Sequence, residues 1–282
     1  MGKRYKTLEY KGKIVFNKLT ITAPARELKP FQENEACFMF VHHGDFSIRT
    51  NEEVIPFKEK QGMLTKCFNF FIETTNKQRV KHSTIEFMGV FLFPSHVEKL
   101  LDLKLSESSV QVDYNMKRVE IDKLLHSFHE SIDVLVENPE LADEALIENK
   151  IREFVLLISK SQNMAPLDFL SAIFKLNAID FKSTIHNNLY SNLSVREMAQ
   201  LCAMSTSSFK RKFKEEFSES PKKYLANKKL ERAVNLLKNS QERISDIAYE
   251  CGYETISTFN RSFKSSYGIS PSEFRLNQIA QQ

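Results

Sequence analysis

Two stretches near the C-terminal end carry the side chains with the clearest chemistry, and each is a version of the other. CAMSTSSFKRKFKEEFSESP runs from Cys202 to Pro221, and CGYETISTFNRSFKSSYGISP runs from Cys251 to Pro271. Arg can donate two hydrogen bonds to guanine, and Asn can pair with adenine through two bonds. Lys and Ser suit phosphate oxygens. Both stretches therefore offer the chemistry that reads a nucleic acid.

The two stretches share a frame of apolar and basic positions. The offset between them is 49 residues up to Cys202 and Cys251, and it becomes 50 after one inserted residue. The main pairs after the insertion are Phe209 with Phe259, Arg211 with Arg261, Phe213 with Phe263, Lys214 with Lys264 and Pro221 with Pro271. Two copies are too few for a solenoid, so the pattern favours a small functional unit used twice.

Each copy predicts a short helix, a tight turn and a second helix. Ala203 and Gly252 occupy the turn, and Ser205 and Thr255 are the predicted N-caps of the second helices, which span about 206–217 and 256–267. The aromatic residues repeat every four positions along these helices, which turns one face inward. This outline predicts two helix-turn-helix motifs, whose second helices enter the major groove.

The outward face of the two second helices is the predicted DNA-binding surface. It comprises Ser207, Lys210, Arg211, Lys214, Ile256, Ser257, Asn260, Arg261 and Lys264. The N-cap residues Ser205 and Thr255 are also expected near phosphate oxygens. A single lysine-rich helix face is most often only solvated, but two such faces in matching apolar frames favour DNA.

The charge of the chain supports an acidic partner for its last third. From Asp180 onward, 16 Lys and Arg residues stand against 11 Asp and Glu residues, whereas the earlier residues carry 24 and 25. The net charge of +4 therefore lies entirely in the C-terminal part. No apolar run approaches the roughly 18 residues that a membrane helix needs.

The first third predicts short strands separated by turn residues, Gln61-Gly62 among them. The predicted strands are Lys13–Ile21, Ala36–His42, Phe46–Thr50, Glu53–Phe57, Lys66–Glu73 and Lys81–Phe93. Because Ile85–Phe93 is apolar on both faces, it is expected to be a central strand covered on both sides. Many short strands with short turns predict a sandwich or a barrel.

Helical periodicity follows Pro94. Helices are predicted over about Met116–Glu137 and Asp143–Ser159. Their apolar stripes could pack on the strands, on each other or on a second copy of the chain. Ile147, Ile151 and Phe154 are the predicted dimer-interface residues on the second of these helices.

The chain is therefore expected to have two domains. Residues 1–165 form a sensor and dimerisation domain with strands at about 13–93 and helices at about 96–160, residues 166–182 form a linker region, and residues 183–282 form a helical domain. A boundary nearer Asp180 stays open, because Leu167–Leu176 could be one more packed helix.

The last hundred residues resemble the DNA-binding domain of AraC/XylS-type transcription regulators. The resemblance covers about Ile185–Arg275 and rests on AQLCAMSTSSFKRKFKEEFSESPKKY, on IAYECGYETISTFNRSFKSSYGISPSEF and on the connecting stretch YLANKKLERAVNLLKNSQERI. It implies seven helices, with two recognition helices in successive major grooves. Ala203 departs from the more usual Gly, and Ile256 is apolar where a polar base reader is common.

The front half is similar in architecture to the cupin-like sensor domains of the same family. The resemblance thus implies an α+β chain: an N-terminal cupin-like β-barrel, packing or dimerisation helices, and an all-α C-terminal domain with two helix-turn-helix motifs. It implies an activator that binds double-stranded promoter DNA and recruits RNA polymerase, with repression as the alternative. The scattered single cysteines favour a reducing cytoplasm, and the apolar stripes of the helices favour a homodimer. No enzymatic activity is expected. No cofactor is expected, and a small-molecule effector or a protein partner would supply the regulatory input.

Other chemistry has weaker support. His42 and His43 are adjacent, so on a strand they point to opposite faces, and no metal site is predicted from them or from His82 and His96. The alternative is a cupin-type metalloenzyme or metal sensor fused to a DNA-binding domain. The phenylalanines of the strands could line an apolar effector cavity or fill the core. The four cysteines are scattered, without metal-ligand spacing, which is typical of packing roles.

Overall fold

A computed structural model describes residues 4–22, 26–29, 34–74, 84–178 and 180–279. It divides into two compact units: the first contains the residues up to Thr50 and Val54–Ala178, and the second contains Asn51–Glu53 and the described residues after 179. The first unit combines strands and helices, and the second is helical apart from its connecting segments. No helix among the described residues is both long and apolar enough to cross a membrane.

The first unit contains ten described strands and four α-helices. The strands are β1 (Arg4–Tyr10), β2 (Lys13–Thr22), β3 (Arg26–Leu28), β4 (Ala36–His43), β5 (Phe46–Arg49), β6 (Val54–Phe57), β7 (Gln61–Thr65), β8 (Phe71–Glu73), β9 (Thr84–Leu92) and β10 (Met116–Glu120). The helices are α1 (Pro94–Leu101), α2 (Lys123–Glu137), α3 (Glu144–Ser161) and α4 (Pro166–Phe174).

The strands form two sheets, ordered β1-β2-β9-β4-β7-β10 and β3-β8-β5-β6. Strand β2 pairs with β9, β3 with β8, β4 with β7 and β5 with β6, all antiparallel, so the segment folds as one long hairpin wound over itself. The predicted central strand is confirmed, because β9 lies between β2 and β4 and is buried on both faces.

The expectation of a closed barrel is corrected. Among the described strands, β1 and β10 end the larger sheet and β3 and β6 end the smaller one, so no ladder joins the two sheets. The sheets instead bury their facing apolar sides, as in the contact between Phe46 of β5 and Phe87 of β9. Packing two twisted sheets face to face removes that surface from water without a closed ladder.

Two local expectations also differ from the structure. Met116–Glu120 is not the start of a helix but strand β10, which pairs with β7; helix α2 begins only after Asp122, whose carboxylate accepts the backbone N–H groups of Leu124 and Leu125. Gln61–Gly62 is not a turn but the start of β7. A Cβ on Gly62 would lie 2.3 Å from the Phe38 ring, so glycine serves a close approach within the strand.

The phenylalanines of alternate strand positions pack outward, beneath the helices. Phe38 and Phe40 of β4 contact Phe154 of α3 at ring-centroid distances of 5.5 and 6.5 Å, and Phe154 lies 5.3 Å from Phe128 of α2. Helices α2 and α3 therefore cover the outer face of the larger sheet, and this aromatic layer forms one part of the core of the first unit, beside the apolar layer between the two sheets.

The prediction that Ile147, Ile151 and Phe154 form a dimer interface is corrected by this layer. Their exposures are 6%, 2% and 0%, because the stripe on α3 faces the sheet and α2. An apolar stripe predicts that a helix face is covered, and here the covering surface belongs to the same chain.

The covered stripe leads to a stability prediction. Phe154→Ala should lower the free energy of unfolding of the first unit by about 3–5 kcal/mol, because it removes a fully buried ring and leaves a cavity. Urea denaturation of the full chain measures the change. Leu156→Ala is the matched control on the same helix: Leu156 is 54% exposed, and its loss should change stability by no more than about 0.5 kcal/mol. Equal effects of the two substitutions would contradict the assignment.

The second unit contains seven helices among its described residues. They are α5 (Phe181–Asn187), α6 (Val195–Leu201), α7 (Thr206–Phe217), α8 (Pro221–Asn239), α9 (Ile244–Glu250), α10 (Ile256–Tyr267) and α11 (Pro271–Ile279). Helix α8 follows the pair α6–α7 and precedes the pair α9–α10. Pro221 and Pro271 occupy the first positions of α8 and α11, where a missing N–H costs no helical hydrogen bond.

Candidate nucleic-acid interface

The pair α6–α7 is built from local signals that are strong in the sequence. Ser194 and Glu197 form a reciprocal capping box at the start of α6. Ser205 caps α7, its hydroxyl accepting the backbone N–H of Ser208 at 3.2 Å. These caps set where both helices begin and hence which residues of α7 face outward.

The pair α9–α10 repeats this construction. Thr255 caps α10 by accepting the backbone N–H of Thr258 at 3.2 Å. The turn residue Gly252 has φ 77°, and its counterpart Ala203 has φ 52°, so both turns pass through the left-handed region. Ala203 therefore adopts the same type of turn as Gly252 although it is not glycine. The left-handed backbone is strained for alanine because its Cβ lies too close to the backbone.

Each of the helices α7 and α10 is oriented by two fully buried rings. Phe209 and Phe213, and likewise Phe259 and Phe263, are 0% exposed. Four residues is about one helical turn, so each pair holds one face of its helix against the unit. The rest of each helix circumference is thereby turned toward solvent.

All nine residues predicted to bind DNA lie on this solvent side. They are Ser207, Lys210, Arg211 and Lys214 on α7, and Ile256, Ser257, Asn260, Arg261 and Lys264 on α10. Ile256 is 37% exposed at the first position of α10. The hydroxyl of Ser207 lies 3.0 Å from that of Ser205, so these two serines meet at the N-terminus of α7.

The basic residues of α7 fall into two groups: some point into solvent, and one packs against another helix of the unit. Lys212 lies 4.9 Å over the ring of Phe181, so it takes part in a cation–π contact within the unit. Lys182 of α5 pairs with Glu216 at 2.9 Å, which neutralises one acidic group near the end of α7. The exposed Lys210, Arg211 and Lys214 remain outward.

The two equivalent cysteines belong to the frame. Burial raises the pKa of the Cys202 thiol to about 12 and that of Cys251 to about 11. Both thiols are therefore protonated near neutral pH, which disfavours nucleophilic chemistry.

The two histidines of β4 are exposed, and each lies near a different carboxylate. His43 lies 2.8 Å from Glu59, and His42 lies 3.8 Å from Glu86. Within the described ranges, no group of three or more His, Cys, Asp or Glu side chains is arranged to hold a metal ion. His82 lies outside the described residues.

Three residues that the sequence motifs do not identify join the two helix pairs. Tyr190 precedes α6, Lys229 and Arg232 lie on α8, and all three meet the turn between α9 and α10. The available signal was charge: Pro221–Asn239 carries six Lys and Arg residues against one Glu, whereas the helix pairs are nearly balanced.

The turn at Ala203 leads to a second stability prediction. Ala203→Gly should raise the free energy of unfolding by about 0.5–1 kcal/mol, because relief of the left-handed strain exceeds the added freedom of the unfolded chain. Thermal or urea unfolding of the full chain measures it. Ala226→Gly, the same change inside α8, should instead cost about 1 kcal/mol. A destabilisation by Ala203→Gly would refute the turn assignment.

Comparisons with known proteins agree with this architecture. A model of the "Helix-turn-helix domain" matches residues 198–277, and a model of the "ExsA N-terminal regulatory domain" matches residues 36–171. The two matches fall in the helical unit and in the unit of strands and helices, respectively.

Named relatives share parts of the chain. A probable transcriptional regulator LumQ of Photobacterium leiognathi is 28% identical over 148 residues, which are 52% of this chain and 59% of LumQ. The transcriptional activator RhaS of Mannheimia succiniciproducens is 26% identical over 204 residues, 64% of this chain and 72% of RhaS. The chain thus spans less than two thirds of LumQ.

Among solved structures, ToxT of Vibrio cholerae with a bound unsaturated fatty acid covers 95% of this chain and 96% of its own, at 14% identity and a TM-score of 0.36. The helix-turn-helix match at 198–277 follows the regulatory-domain match at 36–171 along one chain, and relatives with helix-turn-helix regulator names align with it. The chain therefore carries a regulatory domain of the ExsA type followed by an AraC-type helix-turn-helix domain.

Proposed function

We propose that this protein is a transcription regulator that reads double-stranded promoter DNA through α7 and α10, in successive major grooves. One observation carries the proposal: two helices with the same cap, turn and buried frame expose matching sets of basic and polar side chains. Such a repeated surface suits a ligand that is itself repetitive, as duplex DNA is.

The chemistry of the two helices assigns different tasks to their residues. Arg211 and Arg261 occupy equivalent positions and suit guanine, whereas Asn260 suits adenine. Lys214 and Lys264 suit phosphate oxygens, which position the protein without reading sequence. The helices differ most at Lys210 against Asn260, so this pair would select different bases in the two half-sites.

The remaining base and phosphate contacts lie near the helix starts. Ser207 and Ser257 can contact either bases or phosphates, and Ile256 can touch a thymine methyl group. The capping hydroxyls of Ser205 and Thr255 already accept backbone N–H groups, so they can offer only their own O–H to a phosphate.

Activation is the mode of action we infer, because RhaS carries the name of an activator and belongs to the same type. We include RNA polymerase as a partner, a cytoplasmic location and a homodimer as parts of this proposal. The dimer would use a surface other than the buried stripe of α3.

We infer that the first unit, with residues 1–165 as its main part, is a cupin-like sensor domain and that the DNA-binding domain spans 183–282. Within the expected linker region at 166–182, Pro166–Phe174 forms helix α4 of the first unit, so the segment that connects the domains lies after Phe174. The support is topological. Jelly rolls, the class that includes cupins, wind one long hairpin into two facing sheets, and β2–β9 pair in that nested order.

A cavity of about 330 Å³ between the two sheets supports ligand control. Its lining is mostly apolar and includes Leu19, Ile21, Met39, Ile72 and Phe87. Two polar lining groups are engaged within the protein. Asn17 accepts the backbone N–H of Gly89 and donates to the Tyr5 hydroxyl, and Lys29 pairs with Glu35. We therefore propose an apolar small molecule as the effector; control by a protein partner is the alternative input.

A metalloenzyme or metal sensor fused to the DNA-binding domain is the competing function. It has less support because His42 and His43 lie near different carboxylates, Glu86 and Glu59, and no described group of three or more His, Cys, Asp or Glu side chains is arranged to hold a metal ion. We accordingly propose a regulator without enzymatic activity.

The DNA-reading proposal predicts the effect of removing its arginines. Arg211→Ala and Arg261→Ala should each weaken binding to the best duplex selected from a random pool by about 1–3 kcal/mol, and relax base preference at one position. Lys214→Ala should weaken binding to all sequences and lower the salt slope by about 1. Fluorescence anisotropy at several salt concentrations measures both effects.

The matched control is Arg152→Ala, which removes an exposed arginine from α3 of the first unit. It should leave affinity and salt slope unchanged. If the two recognition-helix variants bind the selected duplex as the wild type does, the assignment of α7 and α10 fails.

The effector proposal predicts a retained molecule. Native mass spectrometry of the protein purified from its own host should show a bound small molecule. Leu28→Trp should abolish this species by filling the cavity from β3, without lowering the melting temperature. Retention of the same molecule by Leu28→Trp would place it elsewhere, and an empty wild-type protein would favour control by a protein partner.

A further inference from the structure

The positive charge of α8 has a specific use within the second unit. Two of its cations contact the region where α9 ends and the turn to α10 begins: Arg232 bonds Glu250, and Lys229 bonds the carbonyl of Gly252. They lie one turn apart on α8, so together they form one contact surface. That surface meets a turn of the second helix pair and a tyrosine that precedes the first.

Gly252 lies at the centre of this contact. A Cβ there would lie 2.1 Å from the carbonyl oxygen of Tyr190 and 3.0 Å from that of Ser191. No real side chain tolerates such a distance to backbone, so the turn touches the loop before α6 as closely as only glycine permits. Gly268 has the same left-handed backbone, φ 78°, yet nothing lies within 4 Å of its Cβ position.

Arg232 holds both sides of this contact at once. Its guanidinium lies 4.3 Å over the Tyr190 ring, and its Nη2 donates to Glu250 at 2.6 Å, at the end of α9. A planar guanidinium can stack on a ring and bond a carboxylate together, which an ammonium cannot do equally well.

Lys229 fastens the turn from the other side. Its Nζ donates to the carbonyl oxygen of Gly252 at 2.8 Å and lies 5.8 Å from the centre of the Tyr253 ring. Burial lowers the pKa of this lysine.

We propose that Tyr190, Lys229, Arg232, Glu250 and Gly252 form a clamp that sets the spacing of the two recognition helices, and hence the half-site spacing that the protein accepts. This rests on the proposed function in DNA reading. Helix α8 packs against α7 of the first pair and α9 of the second, and the clamp adds a direct contact between the two pairs. With it, the turn before α10 is locked against the loop before α6.

The clamp residues are positioning residues, so spacing tolerance is the property they should control. Inserting one base pair between half-sites shifts the second by about 3.4 Å and rotates it by about 35°. When both recognition helices bind at once, the affinity rises by about 100-fold or more over that of one helix alone. Two rigidly linked helices lose this gain when the spacing of the half-sites no longer fits them. Two helices linked flexibly, as in a variant without the clamp, keep part of this gain in affinity.

The test uses the full chain and the duplex that the wild type selects from a random pool, with and without one inserted base pair. The wild type should lose about 100-fold in affinity on insertion, whereas Gly252→Ala and Arg232→Ala should lose less than about 10-fold. Binding to a single half-site should stay within about threefold of wild type for each variant, which separates spacing from damage to the readers.

Matched variants isolate the contact. Gly268→Ala carries the same backbone strain without the collision, and Lys238→Ala removes an exposed cation of α8; both should keep the wild-type spacing penalty. Arg232→Lys should recover part of the penalty, because it keeps the charge opposite Glu250 but not the stacked plane. Thermal melting identifies variants that do not fold, and Arg232→Ala decides the matter if Gly252→Ala is one of them.

Two results would overturn the clamp. The first is an unchanged spacing penalty in folded Gly252→Ala and Arg232→Ala. The second is an equal loss of affinity for half-site and full site, which would make the contact merely structural. A wild type that selects no duplex would refute the proposed function, and the clamp's role with it.

Discussion

Burial of two phenylalanine rings one helical turn apart is the constraint on which the candidate interface depends. Phe209 and Phe213 in α7, and Phe259 and Phe263 in α10, are fully buried, and any rotation of either helix would expose them. The cost of exposing one such side chain is about 1.5–3 kcal/mol, which far exceeds thermal energy. The outward direction of Arg211 and Arg261 is therefore a consequence of packing on the opposite face.

The two turns show how one backbone can serve two purposes. Ala203 and Gly252 both adopt left-handed φ values, so the helix pairs have the same internal geometry. Only at Gly252 does backbone from another segment occupy the space of a side chain. The first turn thus tolerates alanine at a cost in strain, whereas the second requires glycine for contact with Tyr190. The difference between the copies marks the place where they are joined.

In the first unit, the larger sheet packs on both of its faces: against helices α2 and α3 on the outer face and against the smaller sheet on the inner face. Successive residues of β4 point to opposite faces of this sheet: Phe38 and Phe40 face α2 and α3, and Met39 lines the cavity between the sheets. Covering the outer face takes the apolar stripe of α3, including Ile151 and Phe154, out of reach of a second chain. The cavity on the inner face is the space that the proposed effector would occupy.

Local signals in the sequence determined the helix pairs and the central strand. Caps at Ser205 and Thr255, the four-residue aromatic spacing and the apolar run of β9 act over one or two turns or one strand, so they are legible without tertiary contacts. Tertiary structure alone decided the other features. Met116–Glu120 is a strand because it pairs with the edge of β7, and the stripe of α3 faces inward because the sheet offers aromatic partners. Gly252 contacts Tyr190, which lies 62 residues earlier in the sequence. Each of these depends on which surfaces meet, and periodicity reports only that a face must be covered, not by what.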